Sequence, residues 1–157
     1  MKSNEDRIFW CLRQKRGIRL EKPSEDLYGA YINKANGAIN MLSSALEKEE
    51  ADWIATTAYY ARYFSFYALL MKCGIKSEIH ECTISLFQFL FVEEKIADIK
   101  LFNEFKSAKE YRIDTQYFVM KTVDNKKLKL EANKAVEFVE ISESLTDERI
   151  RRLRDKL

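Results

Sequence analysis

The amino-acid sequence predicts an all-α protein built from long helices. Only four of its 157 residues are glycine and one is proline, whereas β-sandwiches and barrels need many turn residues. Hydrophobic residues make up 46% and charged residues 33%, a mixture that excludes a disordered chain and, with so few breakers, favours helices. No segment shows the alternating pattern of a strand. The length suits one compact domain.

The first helices follow from apolar spacing and capping residues. Residues 3–17 are predicted to form a short amphipathic helix that ends at Gly17. Ser24 is the predicted N-cap of a second helix, which continues to about residue 48. Within it, Gly29 and Gly37 are expected to allow close approach of a neighbouring helix. Apolar residues recur along this second helix at steps of four and three: Leu27, Tyr31, Ala35, Ala38, Leu42 and Ala45.

Residues 50–73 are predicted to form the central, buried helix, because the segment is apolar nearly all round. One ridge is mostly small and would admit a neighbouring helix: Ala51, Ala55, Ala58, Arg62 and Ser65. Another is bulky: Tyr60, Phe64, Tyr67 and Met71. This aromatic stripe is explained as core, or, if its rings are exposed, as a platform on which bases stack. Gly74 fits the C-cap position.

The second half of the chain also follows a helical pattern. Residues 80–95 and 99–121 are predicted helices, separated by a break around Lys95–Asp98. Apolar residues at helical spacing mark another helix: Leu128, Ala132, Ala135, Val136 and Val139. Thr146 is predicted to cap a short last helix whose inner face is Ile150, Leu153 and Leu157 and whose outer face is basic.

Charge is balanced over the chain but concentrated at one end. The formal net charge is +2, whereas residues 1–22 carry seven basic and three acidic residues, a net charge of +4. This basic arm contacts phosphate, RNA or an acidic partner, or it is a solvated tail.

Cysteine, histidine and glycine patterns restrict the possible chemistry. The chain has three cysteines, Cys11, Cys73 and Cys82, an odd number without a CxxC spacing. We therefore expect no disulfide framework, and we expect a reducing, cytoplasmic location. No apolar run is long enough for a signal peptide or a membrane span. His80 and the cysteines lack zinc-ligand spacing, and no glycine-rich phosphate loop occurs. We therefore expect neither a metal nor a cofactor.

Two arginines are candidates for phosphate contact. Arg62 lies in the middle of the most apolar helix, where a guanidinium must find a partner or reach a cleft. Arg112 lies near Tyr111, Asp114 and Tyr117, which can all form hydrogen bonds. Both arginines belong either to an internal salt-bridge network or to a site that holds the phosphate of RNA or a nucleotide.

Five pieces of the chain, in order, resemble the HEPN domain family over about residues 24–142. These are AYYARYFSFYALL, the glycine-centred turn KCGIKSEIH, ISLFQFLF, YRIDTQY and a closing helix with KAVEFVE. The resemblance implies an antiparallel up-down bundle of about five helices, usually a homodimer and often encoded beside a small nucleotidyltransferase in a toxin–antitoxin-like pair. The chain then divides into a basic extension (1–23), the HEPN-like domain (24–142) and a basic C-terminal helix (143–157).

The resemblance also implies where a catalytic site would lie. Many members of the family are metal-independent RNases with an Arg-x(4–6)-His motif facing the dimer cleft, in which Arg stabilises phosphate charge and His moves protons. In this sequence Arg112 is followed after four residues by Tyr117 instead of His. The single histidine, His80, has Lys76 as its nearest upstream basic residue.

Three hypotheses therefore stay open. The first is a homodimer that binds a nucleotide, RNA or a nucleotidyltransferase partner without the usual Arg–His site, through Arg62, Arg112, Lys76 and Tyr60. The second is an RNase toxin with a displaced site made of Arg112, Tyr117 and His80. The third is a helical adaptor without a ligand.

Overall fold

The computed structural model describes residues 3–117 and 134–157, and within these ranges the protein is an all-α bundle, as predicted. Helix α3 lies at its centre and packs against the other long helices, α2 and α5, and against both C-terminal helices. The helices are α1 (Asn4–Leu12), α2 (Glu25–Glu47), α3 (Ala51–Cys73), α4 (His80–Leu86), a π-helix (Phe87–Val92), α5 (Ile99–Tyr117), α6 (Ala135–Ser144) and α7 (Asp147–Arg154); the strands are β1 (Ile18–Leu20) and β2 (Ile75–Ser77).

The prediction that residues 50–73 form the buried central helix is confirmed. In α3, 17 of the 23 residues are buried. The helix ends at Gly74, which adopts the left-handed conformation (φ 67°) of a C-cap. Arg154 of α7 donates hydrogen bonds from Nη1 to the carbonyl oxygens of Glu21, Cys73 and Gly74 at 2.8, 2.9 and 3.0 Å. The C-terminal helix therefore caps the last turn of α3 from outside.

Helix α2 begins where its capping residue predicted. The Ser24 hydroxyl accepts a hydrogen bond from the Leu27 backbone N–H, but the Leu27 side chain is exposed instead of facing the core. The expectation for Gly29 and Gly37 is wrong, because a Cβ atom at either position would meet nothing within 4 Å. The residues of α2 that are buried are Ile32, Ala35, Leu42 and Ala45.

Two short strands correct the expectation of a chain without β-structure. β1 and β2 pair antiparallel, with Ile18 opposite Ser77 and Leu20 opposite Ile75. Each strand has three residues, too few for an alternating pattern to be read from the sequence. The pair joins the N-terminal segment to the chain that follows α3.

The expectation that no disulfide would form is also corrected. Cys11 of α1 and Cys82 of α4 are buried and form a disulfide, while Cys73 is a free, buried thiol. Cys11 lies three residues after Ile8 on the buried face of α1, so packing against α4 brings the two sulfur atoms together. This contact joins distant parts of the sequence, and residue spacing alone does not reveal it.

The second half of the chain departs from the predicted boundaries at several points. The predicted helix 80–95 is α4 continued by the π-helix, which ends at Val92. The parts of the predicted helices at 118–121 and 128–133 lie outside the described residues. Thr146 caps α7, and Ile150 and Leu153 are buried, as predicted. In the described ranges, no helix has the length and apolar character needed to cross a membrane.

Candidate functional site

Three side chains from three different elements meet beside the middle of α3. The Tyr59 hydroxyl lies 2.7 Å from Nδ1 of His80, the first residue of α4. The guanidinium carbon of Arg112, on α5, lies 5.4 Å from the centre of the Tyr59 ring and 5.3 Å from that of Tyr60. A cation placed over aromatic faces at this distance is attracted by their negative charge density. Tyr59 therefore links the histidine to the arginine.

The orientation of the His80 ring is held by two tyrosines. The imidazole stacks on Tyr63, with ring centres 4.5 Å apart and an angle of 11° between the planes. Tyr59 and Tyr63 lie one turn apart on α3, so their side chains share a face. The stack and the hydrogen bond to Nδ1 together fix the ring, while His80 itself remains exposed to solvent.

The hydrogen bond to Tyr59 also determines which nitrogen of His80 carries the proton. Tyr59 is fully buried, and burial raises the pKa of its phenol, so the hydroxyl stays protonated and must donate. Its hydrogen-bond partner among the described residues is Nδ1 of His80. A neutral imidazole that accepts at Nδ1 carries its proton on Nε2. The remaining ring nitrogen is therefore a donor available to a ligand.

His80 is held in its neutral form. Partial burial lowers the pKa of the imidazole below its ordinary value of 6.5, and the positive charges of Arg112 and Lys109 lower it further. At pH 7 the site therefore combines one cationic group, Arg112, with one neutral N–H donor.

Arg112 is the charged group of this cluster. Its side chain is half-buried, and its Nε is buried with no hydrogen-bond partner among the described residues. No carboxylate within the described ranges forms a salt bridge with it. A guanidinium removed from water without a compensating anion is costly, and a bound phosphate supplies that anion.

Lys109 and Glu81 border the cluster. Lys109 lies one turn before Arg112 on α5 and forms an ion pair with Glu81, the residue that follows His80. Burial lowers the pKa of the Lys109 ammonium, and the positive charges of Arg112 and Arg7 act in the same direction, whereas Glu110 opposes them. Basic side chains of Arg7, Lys109 and Arg112 therefore lie on this side of the bundle together with the carboxylates of Glu81 and Glu110.

The structure brings together three of the residues singled out in the sequence and separates the others. Arg112, His80 and Tyr60 belong to the cluster. Arg62 is fully buried within α3 and donates from Nη1 to the Ala58 carbonyl at 3.1 Å, so a ligand in solution cannot reach it in this arrangement.

The other two sequence candidates lie outside the cluster. Lys76 lies on β2, where its Nζ is 3.7 Å from a carboxylate oxygen of Glu21. Tyr117 is 69% exposed at the end of α5. It follows Arg112 by five residues, which places it about 140° around the helix. No group of three or more potential metal ligands occurs in the described part of the chain.

Sequence reasoning overlooked Tyr59, Tyr63 and Lys109. Their spacing was a usable signal, because Tyr59 and Tyr63 lie four residues apart and Lys109 and Arg112 lie three apart, each pair on one helix face. The meeting of His80 with Arg112 had no such local signal.

Comparison with models of known protein families identifies a family for this chain. A family model described as HEPN domain matches residues 28–148, well over half of the chain, a range that contains Tyr59, His80 and Arg112. No curated protein matches the sequence.

Proposed function

The chain belongs to the HEPN domain family, and from this premise we propose that it binds the phosphate group of a nucleotide or of RNA at the site formed by Tyr59, His80 and Arg112. The observation that carries the proposal is the convergence of Arg112 and His80 on one buried tyrosine. A guanidinium and a neutral imidazole N–H are both donors suited to phosphate oxygens.

Each residue has a separate role in this proposal. Arg112 supplies the positive charge and a planar pair of donors, and His80 donates from Nε2. Tyr59 sets the tautomer of His80, and Tyr60 supports the guanidinium from the side. Tyr60 also stacks on Phe64, with ring centres 5.3 Å apart, so its part in binding is to position Arg112.

Affinity measurements on three variants test the proposal. We expect Arg112→Ala to weaken binding of adenosine 5′-monophosphate or a fluorescein-labelled single-stranded RNA about tenfold or more, because a charged hydrogen bond contributes about 1.5–3 kcal/mol. His80→Ala should weaken it less, because the histidine is neutral. Arg151→Ala is the matched control, since Arg151 is an exposed arginine of α7. Equal affinities for all four proteins would contradict the proposal.

The proposal includes the assembly that the family resemblance implies. We place the site in a homodimer, within a toxin–antitoxin-like pair whose partner is a nucleotidyltransferase. Met41 and Trp53 are 59% and 61% exposed beside the turn between α2 and α3, an apolar surface that suits association. Light scattering at micromolar concentration should give the mass of a dimer. A mass of one chain would contradict this part.

A cytoplasmic location is also part of the proposal. The Cys11–Cys82 disulfide weighs against it, because disulfides are rare in reducing compartments. Thiol titration of the protein taken directly from the cell under trapping conditions tests the point. Three free thiols would agree with a cytoplasmic location, and one would contradict it.

Metal-independent RNA cleavage is the second candidate function. The observation that favours it is the placement of a histidine and an arginine in one cluster, the pair of groups that such cleavage uses. The tautomer argues against it, because an imidazole with its proton on Nε2 is a donor and not a base toward the ligand. We therefore expect no cleavage of single-stranded RNA in EDTA beyond the level of Arg112→Ala and His80→Ala. Cleavage lost in both variants would establish the second function.

A further inference from the structure

A groove of about 550 Å³ lies between α1, α4 and α5, next to the proposed phosphate site. Its walls come from the first turns of α1, from α4 with the start of the π-helix, and from the outer face of α5. The charged side chains that line it are Arg7, Glu81, Lys106, Lys109 and Glu110.

The groove borders the Tyr59–His80–Arg112 site, because residues close to His80 and Arg112 in the chain line it. Glu81, in its wall, directly follows His80, and Lys109 precedes Arg112 by one turn of α5. The ion pair between Lys109 and Glu81 therefore lies at the boundary between the site and the groove.

The cations of the groove are only partly neutralised. Glu81 is engaged by Lys109, while Arg7 and Lys106 form no salt bridge within the described part of the chain. Both are exposed and line the groove. Glu110 is the acidic side chain that lines the groove besides Glu81. Burial lowers the pKa of the Lys109 ammonium, Glu110 raises it, and the charges of Arg112 and Arg7 lower it, so all three charged groups act on Lys109.

Helix α1 is fixed firmly enough to present Arg7. The Cys11–Cys82 disulfide joins α1 to α4. Asn4 Nδ2 lies 3.3 Å from a carboxylate oxygen of Glu93, and Ser3 and Asp6 form a capping box at the start of α1. The N-terminal segment is thus part of the wall of the groove instead of a free tail.

We propose that this groove is a second phosphate subsite, in which Arg7 and Lys106 hold a phosphate next to the one bound by Arg112 and His80. The inference rests on the proposed function and extends it, because it assigns the ligand at least two phosphate groups. The second group is either the β-phosphate of a nucleoside diphosphate or the next phosphate of an oligonucleotide. The two phosphate groups have the same chemistry, and the structure favours neither. The test therefore uses one ligand of each kind.

Isothermal titration with three ligands tests the subsite: adenosine 5′-monophosphate, adenosine 5′-diphosphate and 5′-phosphorylated diadenylate. The wild-type protein should bind one or both of the last two about five- to tenfold more tightly than the monophosphate, the gain that one further partly exposed charge contact gives. Arg7→Ala and Lys106→Ala should each reduce this gain. Arg13→Ala is the control, because Arg13 is an exposed arginine at the end of α1 that does not line the groove.

The possible outcomes distinguish a failure of the proposed subsite from a failure of the proposed phosphate site at Arg112 and His80. A gain with the diphosphate alone identifies the β-phosphate, and a gain with the diadenylate alone identifies an oligonucleotide. Equal affinity for all three ligands, or a gain that survives in Arg7→Ala and Lys106→Ala, would overturn the subsite. The proposed function would then still stand if Arg112→Ala weakens binding of the monophosphate. Binding of the monophosphate that is indifferent to Arg112→Ala would overturn both.

Discussion

The hydroxyl of Tyr59 is the smallest group on which the proposed site depends. It is buried, it stays protonated because burial raises the pKa of the phenol, and it donates to His80 Nδ1. Without it, the imidazole would be free to carry its proton on either nitrogen. The ring of Tyr59 has the separate task of lying beneath the Arg112 guanidinium.

Tyr59→Phe separates these two tasks, because it keeps the ring and removes the hydroxyl. We expect it to weaken binding of adenosine 5′-monophosphate about threefold to tenfold, the effect of losing about one neutral hydrogen bond. Titration calorimetry measures the change. Tyr117→Phe is the control, since Tyr117 is an exposed tyrosine at the end of α5. A larger loss in Tyr117→Phe than in Tyr59→Phe would favour the sequence-based placement of Tyr117 in the site.

Local signals predicted some residues well and others poorly. Ser24, Gly74 and Thr146 cap their helices as expected, because a cap depends on backbone groups within the same turn. The position of the Leu27 side chain was predicted wrongly, because its exposure depends on which distant elements cover it. For Arg62 the sequence left an internal network and a ligand site open, and the structure buries the side chain. The spacing of Tyr59 and Tyr63 places them on one helix face, but it does not reveal the role of Tyr59, because its partner His80 lies on another helix.

At the scale of elements, the turn at the end of α3 leaves no room for a side chain at Gly74. Gly74 has φ 67°, and a Cβ atom there would overlap the Glu21 carbonyl oxygen and come within 2.8 Å of the Pro23 nitrogen. Backbone atoms cannot move aside as a flexible side chain can. The position therefore requires glycine for both conformation and space.

Gly74→Ala should lower the free energy of unfolding by at least about 2 kcal/mol, from left-handed strain together with the overlap. Gly37→Ala is the matched control in α2, where a Cβ atom meets nothing within 4 Å. It should raise the free energy of unfolding by about 0.5–1 kcal/mol, because alanine loses less conformational freedom in a helix. Urea unfolding measures both. A Gly74→Ala variant as stable as wild type would contradict the described turn.

The disulfide is the second constraint at the scale of elements, because it joins α1 to α4 across a sequence separation of 71 residues. Closing a loop of that length restricts the unfolded chain, so the Cys11→Ala/Cys82→Ala variant should lose roughly 4 kcal/mol of unfolding free energy. Reductant should destabilise wild type and Cys73→Ala but not the double variant, since Cys73 is a free thiol. A wild-type unfolding midpoint that does not respond to reductant would show that the bond is absent in solution.

The long helices were predicted best from the sequence. α2 and α3 each span 23 residues, enough for periodicity and caps to agree. The two-stranded ribbon and the disulfide were missed, because both join chain segments that are distant in the sequence. The π-helix was missed for a different reason, since its pattern of apolar residues also fits an ordinary helix.

At the scale of the whole molecule, the residues of the proposed site come from three helices, and no single sequence motif contains them all. α3 contributes two tyrosines, α4 begins with the histidine, and α5 carries the arginine. The Arg-x(4–6)-His spacing of many family members is absent here, yet the fold places a histidine and an arginine on the same tyrosine. Family membership together with this convergence supports a phosphate-binding role, and a His80 tautomer with its proton on Nε2 favours binding over cleavage.

The pKa of His80, measured by proton NMR with and without adenosine 5′-monophosphate, tests this central claim most directly. The chain has a single histidine, so its ring signal is unambiguous. The account predicts a pKa below 6.5 in the free protein, because of partial burial and the charges of Arg112 and Lys109. It predicts a rise when the nucleotide binds, since a phosphate beside the ring stabilises the imidazolium, and no such rise in Arg112→Ala. A His80 pKa that is the same with and without saturating nucleotide would contradict it.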